Sequence, residues 1–189
     1  MNMHQASWPT PSADAWSGAF LPLSQCNKLH SNDIDAVHAH MSAMFCQHDL
    51  YIEGGIPPIT FRHNQASLRS LTFNATDYGN PYGRVVVAIP PMEQIYLVQF
   101  SLVGKAEITQ GNDSFILQPG EMCVLGSNHR IRQMFDEGYK HFTVKIPKSD
   151  LETLLMQELG FRPGDLHFSP RPVRLEGAGA SFARMIRTV

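Results

Sequence analysis

Residues Gln94–Pro147 read QIYLVQFSLVGKAEITQGNDSFILQPGEMCVLGSNHRIRQMFDEGYKHFTVKIP. Five runs in this stretch are rich in Val, Ile, Leu, Phe, Tyr and Thr: Ile95–Val103, Ala106–Thr109, Ser114–Leu117, Met122–Leu125 and His141–Ile146. A weaker run spans Arg130–Phe135. The separators are Gly104-Lys105, Gly111-Asn112-Asp113, Pro119-Gly120, Gly126-Ser127-Asn128 and Asp136-Glu137-Gly138. Short β-rich runs cut by Gly, Pro, Asn and Asp predict an antiparallel meander that closes into a small barrel or sandwich of jelly-roll type.

Outward from this stretch, the preceding segment continues the pattern. Arg84–Ile89 is an apolar run ended by Pro90-Pro91. Ile59–His63 and Ser67–Asp77 are further strand candidates, and Tyr78-Gly79-Asn80-Pro81 is a turn. Before them, Ser31-Asn32-Asp33 starts a helix with Asp33 and Asp35 in its first turn. Ile34, Val37, Met41, Met44 and Phe45 recur on it at helical spacing, and it ends near Gln47. After the meander, Ser149 and Glu152 form a capping box. Leu151, Leu154, Leu155 and Leu159 then repeat at helical spacing up to Gly160, which occupies a C-cap position. Phe161–Glu176 is irregular. The fold class expected is mostly β with flanking helices: a jelly-roll barrel over residues 29–176 with helices packed outside. Residues 1–28 form an N-terminal arm, read either as a partly disordered tail or as a cover over the barrel mouth anchored by Trp8, Trp16 and Phe20. Residues 177–189 begin an amphipathic helix, read as the start of a truncated dimerisation or linker helix.

The chain has 189 residues, a formal net charge of -2 and a pI near 6.5. That balance argues against nucleic-acid binding by this chain alone, since such domains are usually basic. No apolar run approaches the roughly 20 residues of a membrane span, and no signal-peptide pattern opens the chain. Three widely spaced cysteines, Cys26, Cys46 and Cys123, fit a reducing compartment, hence a cytoplasmic protein without disulfides or a zinc site.

The Pro119-Gly120-Glu121 turn, with strand on both sides and Asn128-His129 behind it, resembles the second half of a cupin barrel. Cupin enzymes hold a metal with an H-x-H pair and a Glu on one strand and a His on another. Here the matching strand reads Gln99-Phe100-Ser101-Leu102-Val103-Gly104 and carries no His. His129 stands alone, and His141 added to it gives two ligands, short of the usual three. No intrinsic metal or other cofactor is expected. No nucleophile motif, phosphate loop or dinucleotide fingerprint occurs either. His30, His38, His40 and His48, around the first helix, are read as surface histidines. What remains is a set of polar residues in apolar strands: Gln99 and Ser101, Ile131 and Gln133, His141 and Thr143. Each pair shares a face by alternation. Alternation does not say which face points inward. Converging on a barrel mouth, these residues would make a small-molecule site; facing outward, they would be solvated.

From about Leu29 to its end the chain is similar to the N-terminal effector-binding domain of AraC-type bacterial transcription regulators, in their XylS-like branch. The matching segments are Ser31–Asp35, Phe61-Arg62-His63, Thr76–Gly79, Ile95–Leu97 through Leu102–Gly104, Gln118–Glu121, Phe142–Pro147, Leu151–Gly160 and Leu166-His167-Phe168. The resemblance implies a cupin-like barrel that binds an effector, helices used for homodimerisation, and a separate C-terminal domain with two helix-turn-helix motifs that binds DNA. It implies no enzymatic activity; the alternative is a small cupin enzyme, an isomerase or dioxygenase. XylS-like members often answer to small aromatic acids. In the founding sugar-responsive member the contacts fall at positions corresponding to about Gln133, His141 and Thr143, and Thr143 replaces an aromatic residue that stacks on sugar. For an aromatic carboxylate, Arg62 or His141 would meet the charge. Gln99, Ser101, Gln133 and Thr143 would meet ring substituents. Leu97 and Ile131 would form walls, with Tyr96 near the rim. The rival arrangement leaves Arg62 on the surface and holds a neutral ligand through His141 and Gln99.

Overall fold

The computed structural model describes residues 21–54, 59–79, 83–127, 129–161, 166, 168–169 and 171–176. The expected cover by residues 1–20 and the expected closing helix at 177–189 lie outside them.

Among the described residues, twelve strands with antiparallel pairing form two sheets. The strands are β1 (Asn27–Ser31), β2 (Asp49–Glu53), β3 (Phe61–Leu68), β4 (Leu71–Asp77), β5 (Arg84–Ile89), β6 (Met92–Val103), β7 (Ala106–Gln110), β8 (Asp113–Leu117), β9 (Glu121–Ser127), β10 (Ile131–Phe135), β11 (Lys140–Pro147) and β12 (Val173–Arg174). The larger sheet has the order β1-β3-β4-β11-β6-β9-β12, and the smaller β2-β5-β10-β7-β8. The arrangement is a cupin-like jelly roll, mostly β with helices α1 (Ile34–Met44) and α2 (Lys148–Leu159). Each strand of the central meander falls within about two residues of its sequence-predicted position, apart from β6, which starts directly after Pro90-Pro91.

The sandwich is filled from both sheets. Val85, Val87, Ile89, Ile108, Ile131 and Phe135 of the small sheet meet Leu97, Cys123 and Leu125 of the large one, with Val37 and Met41 of α1 closing one end. A second apolar layer lies on the opposite face of the large sheet: Phe73, Ala75, Val98, Phe100, Leu102, Phe142 and Val144, with Leu21. The large sheet is therefore buried on both faces.

Three local expectations need correction. The single strand expected over Ser67–Asp77 is a hairpin, because the chain turns at Arg69-Ser70 with Arg69 in the left-handed region at φ 55°. Strands β1, β2 and β12 had no sequence prediction. The capping box at Ser149 and Glu152 does not form. Pairing of β11 runs to Pro147 opposite Ile95, the helix starts at Lys148, and Pro147 in the N-cap position offers no side-chain acceptor. Ser149 is then already helical, and its carbonyl accepts from Thr153 Oγ1 at 2.7 Å. The other end follows expectation, with Gly160 left-handed at φ 73°. At α1, Asp33 caps the helix by accepting from Asp35 N at 3.0 Å. The Tyr78-Gly79 turn requires glycine: Gly79 has φ 45°, and a Cβ there would collide with the Thr60 carbonyl oxygen.

Candidate ligand-binding site

Alternation along β11 puts Phe142 and Val144 into the outer apolar layer and His141 and Thr143 between the sheets. The polar set faces inward, and the neighbouring strands agree. Thr143 pairs with Gln99 on one side and Asn74 on the other, and Asn74 pairs with Gln65. The next row is Ser101, His141, Thr76 and His63. Two rows of polar side chains thus run across the inner face of the large sheet, where a purely structural sandwich would carry aliphatic ones.

Much of this polarity is satisfied internally. Gln99 Nε2 donates to Gln133 Oε1 across the sandwich at 2.8 Å and to the Tyr139 hydroxyl at 3.3 Å. His63 bridges His40 (Nε2 to Nδ1, 2.8 Å) and Asn74 Oδ1 (3.1 Å), and Gln65 also donates to Asn74 Oδ1 at 3.0 Å. Two groups in these rows are left over. His141 Nδ1 and Thr76 Oγ1 are buried and have no hydrogen-bond partner. They belong to residues directly opposite each other in the β4–β11 register.

A cavity of about 40 Å³ opens beside His141; Thr76 is not part of its wall. Gln99, Gln133, His141 and Thr143 supply its polar wall, and Val87, Ile89, Leu97 and Phe135 much of its apolar wall. Met41 and Phe45 at the end of α1, Cys46 and His48 after it, and Met92 close it. Rings surround His141: Tyr78 stacks at 6.1 Å, with Phe135 and Tyr139 both at 5.4 Å between centroids. Among the described residues no Arg, Lys, Asp or Glu lines this cavity. Burial, with a smaller contribution from His63, pushes the His141 pKa down to about 3, so the ring is neutral near pH 7. Burial likewise lowers His48 and raises the Cys46 thiol, the latter against an opposing pull from Lys145. Every polar group facing the cavity is then uncharged. A wider groove of about 620 Å³ adjoins it, sharing His48 and Ile89 and adding Arg130, Ile131 and Arg132.

The structure brings five of the predicted residues together at the cavity: Leu97, Gln99, Gln133, His141 and Thr143. Four lie elsewhere. Arg62 is on the opposite face of β3 from the buried Phe61 and His63. Its side chain is 43% exposed and pairs with Asp77 Oδ2 at 2.8 Å. Tyr96, one residue from Leu97 on an alternating strand, packs on Phe168 at 5.1 Å, away from the cavity. Ser101 donates to the Gly104 carbonyl at 3.0 Å and so closes the β6–β7 turn. Ile131 is core, 1% exposed, and borders only the outer groove.

The histidines around α1 also need correction. His30 is exposed, but His48 is buried, and His38 and His40 are half-buried. His38 Nε2 meets the His48 carbonyl at 2.6 Å, while His40 meets His63. Two residues apart on a helix, they diverge and tie α1 at two places, His38 to the loop before β2 and His40 to β3 of the large sheet. Residues that sequence reasoning passed over at this site are His63, Asn74, Thr76, Tyr78, Met41, Phe45, Cys46, His48, Met92 and Tyr139. The alternation of His63 and Gln65 with Asn74 and Thr76 was the available signal.

Among the described residues no group of three His, Cys, Asp or Glu side chains could hold a metal ion. No described helix is long and apolar enough to cross a membrane.

Compared with known proteins, residues 37–189 match the family model described as AraC-binding-like domain. No curated protein matches the sequence. Among solved structures the chain is similar to the AraC-like transcriptional activator CuxR, with 12% identity and a TM-score of 0.53 over 68% of this chain and 46% of that one. The chain thus spans about half the length of that activator. More distant likenesses are the cupin domain of Schizosaccharomyces pombe Cnp3 (14% identity, TM-score 0.38, 56% of this chain and 74% of that one) and KdgF from Halomonas sp. (15% identity, TM-score 0.40, 55% and 90%).

Proposed function

The chain belongs to the AraC-binding-like domain family, and from that membership we propose that it is the ligand-sensing and dimerisation domain of a bacterial transcription regulator. The effector is a small molecule bound between the sheets, and DNA is bound by a separate helix-turn-helix domain. The observation that carries this reading is the inward polar face of the large sheet. Evolution of a stable sandwich alone gives no reason to bury His141 Nδ1 and Thr76 Oγ1 unpaired, since each such group is destabilising by about 1–3 kcal/mol. A ligand in the cavity that satisfies His141 gives the reason at that residue. The aromatic rings around His141 suit a flat ligand, in line with the aromatic class that the resemblance implies.

The empty cavity has room for only a few waters, so binding requires the wall to move. Met41 and Met92 are suited to this, being unbranched and adaptable. DNA binding is not expected of this chain by itself, with 15 basic against 17 acidic side chains.

Cys46 gives a local test. It lines the cavity and is half-buried, whereas Cys26 is exposed. In a metabolite screen, a true effector raises Tm and slows alkylation of Cys46 while leaving Cys26 unchanged. A broad screen in which no compound does both would sink the sensing reading.

A further inference from the structure

We propose that the effector of this cavity is an uncharged small molecule that brings its own hydrogen-bonding group to the polar wall at His141, and that the cavity rejects the anionic form of the same skeleton. The inference rests on the ligand-sensing reading and narrows its ligand class.

Three observations converge on it. The first is the pair of unpartnered buried groups, His141 Nδ1 and Thr76 Oγ1, on register-paired residues of β11 and β4. Of the two, His141 lines the cavity, and a ligand hydroxyl or carboxamide can meet it. The second is the donor inventory of the wall. The Gln99 amide nitrogen is already committed to Gln133 and Tyr139, and Gln133 Oε1 is taken by Gln99. The wall therefore offers a ligand His141, the Thr143 hydroxyl and the remaining amide atoms, Gln99 Oε1 and Gln133 Nε2, all of them neutral.

The third is the position of the charges nearest the site. On β3, Arg62 is paired with Asp77 on the far face. On β4, Asp77 is held by Arg62 and by Lys140 at 3.6 Å. On β11, Lys145 donates to the Met44 carbonyl at 2.6 Å, with its ammonium 5.7 Å from the centre of the Phe45 ring. On β10 and before it, Arg132 and Arg130 border the outer groove and not the cavity. A carboxylate in the cavity would face neutral amides, a hydroxyl, a thiol and unprotonated imidazoles. Its desolvation would go uncompensated.

The test uses two probes of nearly identical shape, benzamide and benzoate, in thermal unfolding of this chain at pH 7.5. At about ten times its Kd, benzamide is expected to raise Tm by about 3 °C, with benzoate silent at the same concentration. His141→Phe keeps a ring beside Tyr78 and Phe135 and removes the nitrogen. Its free form is expected to melt at or above the wild type, and its benzamide shift to vanish. Thr143→Val, at a hydroxyl on the same wall, provides the same readout should the first variant misfold. Benzoate stabilising as well as benzamide overturns the charge selection and leaves ligand sensing intact. A benzoate shift that Lys145→Met or Arg130→Gln abolishes names the cation responsible. Silence from both probes, or a benzamide shift that survives in both variants, overturns the assignment of the ligand to the His141 wall. Whether sensing itself fails is read separately, from the Cys46 alkylation screen.

Discussion

His141 and His63 are held neutral by burial, and that couples them to pH. The His63 pKa is lowered to about 4 by burial, with opposing help from its hydrogen bond to Asn74, and that of His141 to about 3. In the unfolded chain both return to about 6.5. Between those values the unfolded state binds protons that the native state does not, so stability falls as pH drops below 6.5 and is fully present above it. Each ring should cost on the order of 2 kcal/mol by pH 5. Urea unfolding at pH 7.5 and pH 5 is expected to show the loss, and His141→Phe to recover part of it. Equal stability at the two pH values would rule this account out. The same residues show how far the sequence could be read. Alternation sorted Gln99, His141 and Thr143 into sets but left the inward face open. In a sheet with one wet face, polarity would decide it. Here Phe142 and Val144 are as buried as His141 and Thr143, so polarity could not decide. Arg62 was chosen for its charge, and the inward member of the F-R-H segment is its neighbour His63.

At the level of elements, the legible parts were those punctuated by Gly and Pro. The meander from β6 to β11 has such a residue in each of its turns or, at β9–β10, two residues before it. The β3–β4 turn at Arg69-Ser70 has neither, and the sequence places the break at 64–66 instead, inside β3. Strands β1 and β2 are short edge strands, mostly exposed, whose register comes from their partners β3 and β5 and not from their own pattern. Helix α1 was legible from its cap and stripe, but its anchoring was not, because the anchors are distant in sequence. Lys145 reaches the Met44 carbonyl at the helix C-terminus, and His40 reaches His63. A cation on the last carbonyls of a helix is favourable. Lys145→Met is expected to cost about 1 kcal/mol and to speed amide exchange in α1 more than in β6. Uniform acceleration across both elements would mean that Lys145 supports the whole domain and not the helix that closes the cavity.

For the whole molecule, the exposed apolar residues gather after the barrel: Leu154, Met156 and Leu159 on α2 and Phe161 beyond it, each at least 47% exposed. A second copy of the chain is the occupant proposed above. Sedimentation is expected to show a mass that rises with concentration, and Leu154→Glu with Leu159→Glu to hold the chain at monomer mass. A monomer at high micromolar wild-type protein would contradict this. The strand order of the large sheet has a further consequence, for the ribosome. Strand β11 sits between β4 and β6, so among the described residues no strand pairing within the large sheet joins the β1-β3-β4 half to the β6-β9 half until β11 has been synthesised. Until then the nascent chain carries two open sheet edges, both adhesive. Closure depends on contacts distant in sequence, the kind that form slowly. A chain stopped before Lys140 should therefore be a substrate for chaperones and proteases and not a smaller folded domain, and translation pauses ahead of that point would be paid for in aggregate.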